Sequence, residues 1–199
     1  MNSTSNARAR STPYAVLGLL SLAPMSGYDI RRESETSIGH FWSESYGQIY
    51  PALRDLSAQG LIRRRPGSRG ANRERHVYEI TEKGRDALAA WRSEPPRPGP
   101  VRNELLLKLF FGSRETAGHE VEWIDRLIER EQSELREFAE IRDRLALDPD
   151  LRDHPSLPYW LLTLSYGEHH ARSVIRWCRE SRRAILAMAG SASRKGTPR

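Results

Sequence analysis

The chain is almost free of cysteine, since Cys178 is the only one among its 199 residues. No disulfide can form within the chain, and a zinc site built on paired cysteines is excluded. Long apolar runs are also lacking: no stretch approaches 18 consecutive apolar residues, so no membrane-spanning helix is expected. The first eleven residues have no apolar run typical of a secretory signal. These absences predict a protein of the reducing cytoplasm.

Lysine is scarce as well, because all but Lys83, Lys108 and Lys195 of the 32 basic residues are arginine. The net charge of +6, with 38% hydrophobic and 29% charged residues, is typical of a globular protein. The basic excess is local: the segment Ile62–Ile80 holds six arginines and two glutamates. Such a cluster is typical of a phosphate-facing patch. A charged sheet edge that discourages aggregation is the other interpretation.

Three helix starts precede this basic segment. Thr12–Pro13 combines a capping residue with a proline suited to the first helical position. Ser26–Asp29 has the spacing of a capping box, and so does Ser45–Gln48. Pro51 leaves a second possible start for the third helix, because an interior proline removes a backbone donor. The capping pattern favours the start at Ser45.

A basic hairpin follows the third helix. Arg63–Arg65 lead up to a turn, Arg73–Arg75 lead back, and Val77–Ile80 continues as a strand. Thr81–Gly84 then begins a fourth helix. A helix followed by an arginine-edged hairpin is the winged form of the helix-turn-helix. This arrangement suits the gripping of duplex DNA.

A proline-rich segment, Pro95–Pro100, cannot be helix interior and predicts a stiff linker. The pattern after it is purely helical. We therefore predict a mainly α protein with a small β-hairpin wing, in which a winged helix-turn-helix domain precedes a helical dimerisation domain. The predicted divisions are 1–11, a mobile tail; 12–94, the winged domain; 95–102, the linker; 103–189, the helical domain; and 190–199, a second mobile tail.

Two long amphipathic helices make up most of the predicted helical domain, with apolar residues at three- and four-residue steps. One small partner helix, Asn103–Gly112, is too little to cover both apolar stripes. We therefore expect the same helices of a second chain to cover them, through Val121, Ile124, Ile128, Leu135, Phe138, Leu161, Leu164, Ala171, Ile175, Cys178 and Ile185.

Six short motifs together resemble the PadR family of bacterial transcription regulators: Tyr14–Leu20, Ser26–Ile30, Gly47–Leu53, Gly60–Ile62, Tyr78–Gly84 and Glu104–Phe111. The resemblance covers roughly residues 12–189 and is stronger in the winged domain. The two long C-terminal helices are similar to those of AphA-type members, which have a full dimerisation domain.

The resemblance implies a homodimeric, usually repressing, DNA-binding protein that a small, often aromatic, effector releases. It places the third helix in the major groove and the wing along the DNA backbone or in the minor groove. Glutamine can read adenine and tyrosine more often binds phosphate, so we expect Gln48 to contact a base and Tyr50 a phosphate. The alternative for both residues is a role in capping and packing of the helix. The predicted DNA-contacting residues are Tyr28, Ser45, Tyr46, Gln48, Tyr50, Arg54, Arg63, Arg65, Arg69, Arg73 and Arg75.

Other interpretations concern the helical domain. Trp123, Trp160, Tyr166 and Trp177 could line an aromatic effector pocket, although aromatics at helical spacing usually belong to a core. Glu168–His170 does not have the spacing of a metal site. Cys178 fits a small core residue better than a redox sensor. A redox- or metal-responsive regulator and a helical protein-interaction module remain the alternatives. No catalytic motif appears, so neither an enzyme nor a cofactor is predicted.

Overall fold

The structure is a computed structural model that describes residues 3–42, 46–66, 76–96, 102–113 and 115–193. Side chains are described for the same ranges except residues 3–10, 46 and 191–193. The chain divides into two compact units, Met1–Val101 and Arg102–Arg199. Across the described ranges, no helix has the length and apolarity needed to traverse a bilayer.

The first unit holds four helices and three short strands within its described part. Their bounds are α1, Ser3–Leu22; β1, Met25–Ser26; α2, Gly27–Glu33; α3, Tyr46–Ala58; β2, Ile62–Arg64; β3, Val77–Ile80; and α4, Glu82–Ser93. A π-helical turn, Ser34–Ile38, extends α2. The second unit has α5, Glu104–Phe110; α6, Ala117–Leu147; a 3₁₀ turn, Pro149–Leu151; and α7, Leu157–Ser193.

The core of the first unit lies between α1, α2, α3 and the sheet. It is wholly aliphatic and consists of Val16, Leu17, Leu19, Leu20, Ile30, Ile49, Ala52, Leu53, Leu56, Ile62 and Ile80. Burial of each valine, leucine or isoleucine side chain in it stabilises the fold by about 1.5–3 kcal/mol. The core therefore fixes α3 and the base of the hairpin in one rigid body.

Local hydrogen bonds confirm two of the predicted helix starts. The Ser26 hydroxyl accepts from the Asp29 backbone amide, and the Asp29 carboxylate accepts from the Ser26 amide, which completes the capping box. Thr81 caps α4 by accepting from the Gly84 amide at 3.1 Å. The Thr81 hydroxyl also donates to the Gly60 carbonyl at 2.8 Å, which ties α4 to the end of α3.

The sheet contains a strand that the sequence did not predict. Its order is β1-β3-β2, with both pairs antiparallel. In β1, Met25 pairs with Tyr78 and Ser26 with Val77. A two-residue strand is too short to show alternation, so no pattern announces it. The added strand anchors the hairpin to the residues that begin α2.

One helix start differs from the expectation, and a second agrees with the start that the capping pattern favoured. The first helix begins at Ser3, not Thr12, so the part of the predicted tail at 3–11 is helical and Pro13 is interior. Extending an existing helix adds one hydrogen bond per residue without a new nucleus. For α3 the structure favours the earlier start: the helix begins at Tyr46 and includes Pro51. Ser45, its predicted cap, lies outside the described residues.

In the second unit α6 and α7 form an antiparallel hairpin. Arg182 Nε donates to Asp125 at 2.8 Å near one end, and Arg142 Nη2 donates to Glu168 at 2.6 Å toward the other. Both helices are long and amphipathic, as the sequence pattern predicted. Of the second predicted tail, 190–193 continues α7, and 194–199 lies outside the described residues.

The apolar stripes of α6 and α7 largely cover each other within one chain. Six of the residues expected at a dimer contact are buried in this seam: Ile124, Phe138, Leu164, Ala171, Ile175 and Cys178. The remaining five, Val121, Ile128, Leu135, Leu161 and Ile185, are half-buried. Their burial therefore does not require a second chain, and their part in a dimer stays a prediction.

Candidate nucleic-acid interface

The exposed face of α3 presents candidate DNA-contacting residues. Ile49, Leu53 and Leu56 face the core, while Arg54 is exposed and Tyr50 is 47% exposed. Successive helix residues turn by about 100°, which puts Arg54 near the middle of the outer face. Gln48 is half-buried and points about 160° away from Tyr50. Gln48 and Tyr50 thus lie on opposite flanks of this outer face.

The start of α2 lies beside this surface. Tyr28 is 46% exposed, much like Tyr50. The backbone of the neighbouring Gly27 approaches the Tyr50 ring closely, so that a β-carbon there would lie 2.9 Å from Cε1 of Tyr50. The structure therefore brings together three elements of the predicted site, namely the start of α2, the first turns of α3 and the base of the wing.

The base of the wing is held by cross-strand pairing. Ile62 opposes Ile80, Arg63 opposes Glu79 and Arg64 opposes Tyr78. The ladder continues past β2, where the Arg65 amide donates to the Val77 carbonyl at 2.9 Å. The paired segment that carries Arg63–Arg65 is the stem of the wing, and all three arginine side chains project from it exposed.

The arginines of the stem differ in their electrostatic surroundings. Arg63 Nε donates to Glu79 Oε1 at 2.7 Å, although the Arg63 side chain is still 71% exposed. Arg64 is exposed and makes no ion pair with another described residue. The predicted set included Arg63 and omitted Arg64. Strand alternation turns Arg64 to the face opposite Arg63, so only the run of three arginines in the sequence could have indicated it.

Several predicted contacts lie outside the described residues. These are Ser45, Arg69, Arg73, Arg75 and the side chain of Tyr46. Within the described residues, the outer face of α3 and the arginine-bearing stem are both attached to the same core. Guanidinium groups bind phosphate through charge-assisted hydrogen bonds, and a helix face can enter the major groove. This combination suits duplex DNA.

The four predicted effector-binding aromatics do not share one pocket in a single chain. Trp123 lies toward the Asp125–Arg182 end of the hairpin, and Trp160 stacks on His154 at 4.6 Å toward the loop between α6 and α7. The 22 residues of α7 from Trp160 to Arg182 correspond to about 33 Å of helix. Tyr166 and Trp177 lie on exposed parts of α7. The spacing along α7 is too wide for a joint cavity.

One groove does include a predicted effector residue. It lies between α5 and α6, has a volume of about 490 Å³ and is lined by Asn103, Glu104, Leu105, Lys108, Trp123, Arg126, Leu127 and Arg130. The Lys108 ammonium sits 5.2 Å from the centre of the Trp123 ring. Lys108 also pairs with Glu104 at 2.8 Å. An aromatic ring, two leucines and three cations thus share one surface.

Local contacts occupy the groups considered for metal or redox chemistry. The Glu168 carboxylate binds Arg142 and Arg172, and His169 Nδ1 donates to the Ser165 carbonyl at 2.8 Å. The Arg142 hydrogen bond is the main reason that the pKa of Glu168 lies below its ordinary value. Burial, and then the nearby Glu131 carboxylate, raise the pKa of the Cys178 thiol. A buried, protonated thiol reacts slowly, which argues against a redox sensor.

Two family models match consecutive parts of the chain. The model of the transcriptional regulator PadR-like family matches residues 16–90. The model of the virulence activator alpha C-terminal domain matches residues 101–185. The first match covers the unit with the polar helix and the wing, and the second covers the α5–α7 unit.

Relatives of known structure resemble the chain over most of its length. The chain is similar to the negative transcriptional regulator PadR of Bacillus subtilis, with 29% identity over 90% of this chain and 97% of the relative. The structure of that PadR with operator DNA superposes with a TM-score of 0.72, at 27% identity over 87% and 98% of the two chains. The structure of its complex with p-coumaric acid has a TM-score of 0.67 to this chain, at 27% identity over 86% of this chain and 96% of the other. The structure of the Vibrio cholerae virulence activator AphA has a TM-score of 0.71 to this chain, at 30% identity over 90% of this chain and 100% of the other.

Proposed function

The chain belongs to the PadR-like family of transcriptional regulators, and on that premise we propose that it is a homodimeric repressor that binds an inverted-repeat operator. The name of the Bacillus PadR as a negative regulator and its operator complex support this proposal. Such a protein acts on the nucleoid in the cytoplasm. The proposal includes a small effector that releases the protein from DNA.

The observation that carries the proposal is the joint placement of α3 and the wing. The outer face of α3, with Arg54 near its middle, is solvent-accessible. Arg63, Arg64 and Arg65 leave the same rigid core on the neighbouring stem. A face of this kind can insert into the major groove while the arginines bind the flanking phosphates. A pure protein-interaction module gives the arginine stem no role.

The function is tested by capturing sheared genomic DNA on the purified protein and sequencing the retained fragments. A shared inverted repeat should be enriched, with half-sites about one helical turn apart. Retention should weaken steeply as salt rises, because counterions compete for the phosphates. Retention without any shared sequence, or without salt dependence, would contradict a sequence-specific regulator.

Exposed apolar residues supply the surface for a dimer. On α5 and at its C-cap they are Leu106, Leu107, Phe110 and Phe111, and Phe110 is 81% exposed. On α7, Tyr159, Tyr166, Trp177 and Met188 are exposed and follow one flank of the helix. A monomer rarely leaves an apolar row of this length in water. We expect the partner chain to cover this row, next to the seam residues.

The dimer is tested by light scattering at micromolar concentration. The native protein should have twice the chain mass of 22.8 kDa. Tyr166→Asp should shift it toward the monomer, because a charge on the flank cannot be buried without a partner. Arg176→Asp is the control, since Arg176 is exposed and lies about 80° around α7 from Tyr166. A folded native monomer would exclude the dimer.

The effector part of the proposal concerns the groove beside Trp123. The p-coumaric acid complex of the Bacillus PadR supports a planar aromatic acid as the first probe. Such an acid could place its ring against Trp123 and its carboxylate on Lys108, because the Glu104–Lys108 ion pair is exposed to solvent and exchanges readily.

The test adds p-coumaric acid to the protein–DNA complex and follows release by fluorescence anisotropy. Trp123→Ala and Lys108→Gln should each weaken the response, while the distant Trp160→Phe should keep it. An unchanged response in Trp123→Ala would place the effector elsewhere. The absence of release by any aromatic acid would remove the effector from the proposal without affecting DNA binding.

A further inference from the structure

The backbone of Gly27, the first residue of α2, closely approaches the Tyr50 ring. A β-carbon at Gly27 would lie 2.9 Å from Cε1 and 3.1 Å from Cζ of Tyr50, and 3.2 Å from Cδ1 of Leu53. Among the glycines described, positive φ occurs at Gly60 and not at Gly27. Backbone geometry therefore does not require glycine at position 27; the space taken by the Tyr50 ring does.

An added methyl group at position 27 would displace the ring before it disturbed the core. Tyr50 is 47% exposed, so its ring has solvent on one side and can swing outward. The contact with Leu53 needs an adjustment of only a few tenths of an ångström, which interiors accommodate at modest cost. The 3.1 Å approach is to Cζ, the carbon that bears the phenolic hydroxyl. The displacement thus falls on the polar end of Tyr50.

We propose that Gly27 is a positioning residue for DNA binding, whose missing side chain sets the Tyr50 ring so that its hydroxyl meets a phosphate. This proposal rests on the proposed function, because it requires that Tyr50 contact DNA. Gly27 itself does not touch DNA in this arrangement. It acts through the plane of one aromatic ring, at the point where α2 meets α3.

The first measurement compares Gly27→Ala with Gly18→Ala, both at helical glycines of the same unit. A β-carbon at Gly18 has no neighbour within 4 Å, so Gly18→Ala is the matched control. Gly27→Ala should lower DNA affinity about three- to tenfold, the loss expected when one hydrogen bond is removed. Its melting temperature should stay close to that of the native protein. Gly18→Ala should bind DNA as the native protein does.

The second measurement repeats Gly27→Ala in a Tyr50→Phe background. Phenylalanine keeps the ring and the close approach but has no hydroxyl to misplace. Gly27→Ala should therefore cost no further affinity there, which appears as a coupling between the two sites. A loss as large as in the native background would mean that Gly27 acts through the fold, and the proposal would be wrong.

Two further outcomes are decisive. If Gly27→Ala does not fold, the substitution is repeated in a Tyr50→Ala background, which gives the added methyl group room. The double variant should fold and bind DNA as Tyr50→Ala alone does. A double variant that stays unfolded overturns the proposal. Native affinity in Gly27→Ala overturns it as well. A native protein that binds no DNA would instead overturn the proposed function and this inference together.

Discussion

Removing one acidic side chain should strengthen DNA binding. Glu79 is the cross-strand partner of Arg63, and the two side chains meet at 2.7 Å on the stem of the wing. Glu79→Gln keeps the shape of the side chain and removes its negative charge. The Arg63 guanidinium, already 71% exposed, then becomes available to a phosphate. We expect a gain of about 0.5–1 kcal/mol, or about two- to fivefold in affinity, since exposed pairs are worth about that much.

The salt dependence gives this prediction its sharper form. One more phosphate contact should steepen the slope of log K against log salt by up to about 0.9. The affinity of the variant should then fall by about a further twofold, relative to the native protein, for each doubling of the salt concentration. Fluorescence anisotropy with random duplex DNA measures the slope. Arg63→Gln should flatten it only slightly, and Arg64→Gln should flatten it by nearly the full amount. An unchanged or flatter slope in Glu79→Gln would refute the view of Arg63 as a restrained phosphate ligand.

Other perturbations test the remaining parts of the account. Gln48→Ala should lower the operator-to-random affinity ratio, at a cost of about 1–3 kcal/mol per half-site, whereas Tyr50→Phe should weaken both DNAs alike; the reverse pattern would exchange their roles. Glu168→Gln should lower the free energy of unfolding at pH 7 by about 1–3 kcal/mol, measured with urea. The Arg142 contact lowers the pKa of Glu168, so the ionised carboxylate stabilises the fold at pH values above its ordinary pKa of 4.5. This stabilisation is lost as the pH falls through the lowered pKa of the folded state. The free energies of unfolding of the native protein and of Glu168→Gln should therefore converge in acid. Cys178 should react with a thiol reagent only as fast as the protein unfolds; rapid labelling of the folded protein would contradict its burial in the seam.

Features with a local chemical cause could be predicted from the sequence. The capping box at Ser26–Asp29 and the cap at Thr81 follow from side chains that satisfy amides three residues away. The basic hairpin followed from charge and strand pattern. By contrast, β1 pairs with β3, more than 50 positions along the chain, through two residues that carry no periodic signal.

The partners of apolar surfaces could not be predicted in the same way. Periodicity marked Ile124 and Cys178 as buried, and it could not tell whether α6 and α7 of one chain or of two chains would cover them. It also grouped Trp123 with Trp160, because residue type is visible in a sequence and distance along an antiparallel hairpin is not. The close approach of Gly27 to Tyr50 is likewise a tertiary contact between two helices.

Footprinting on a captured genomic fragment tests the central claim most directly. Hydroxyl-radical cleavage of the duplex, with and without the purified protein, reports which sugars the protein shields. The account predicts two protected half-sites related by a dyad, with centres about one helical turn, ~10 base pairs, apart. Both half-sites should lose their protection at the same high salt concentration. A single asymmetric site, or protection without a repeated sequence, would contradict a dimeric winged-helix regulator.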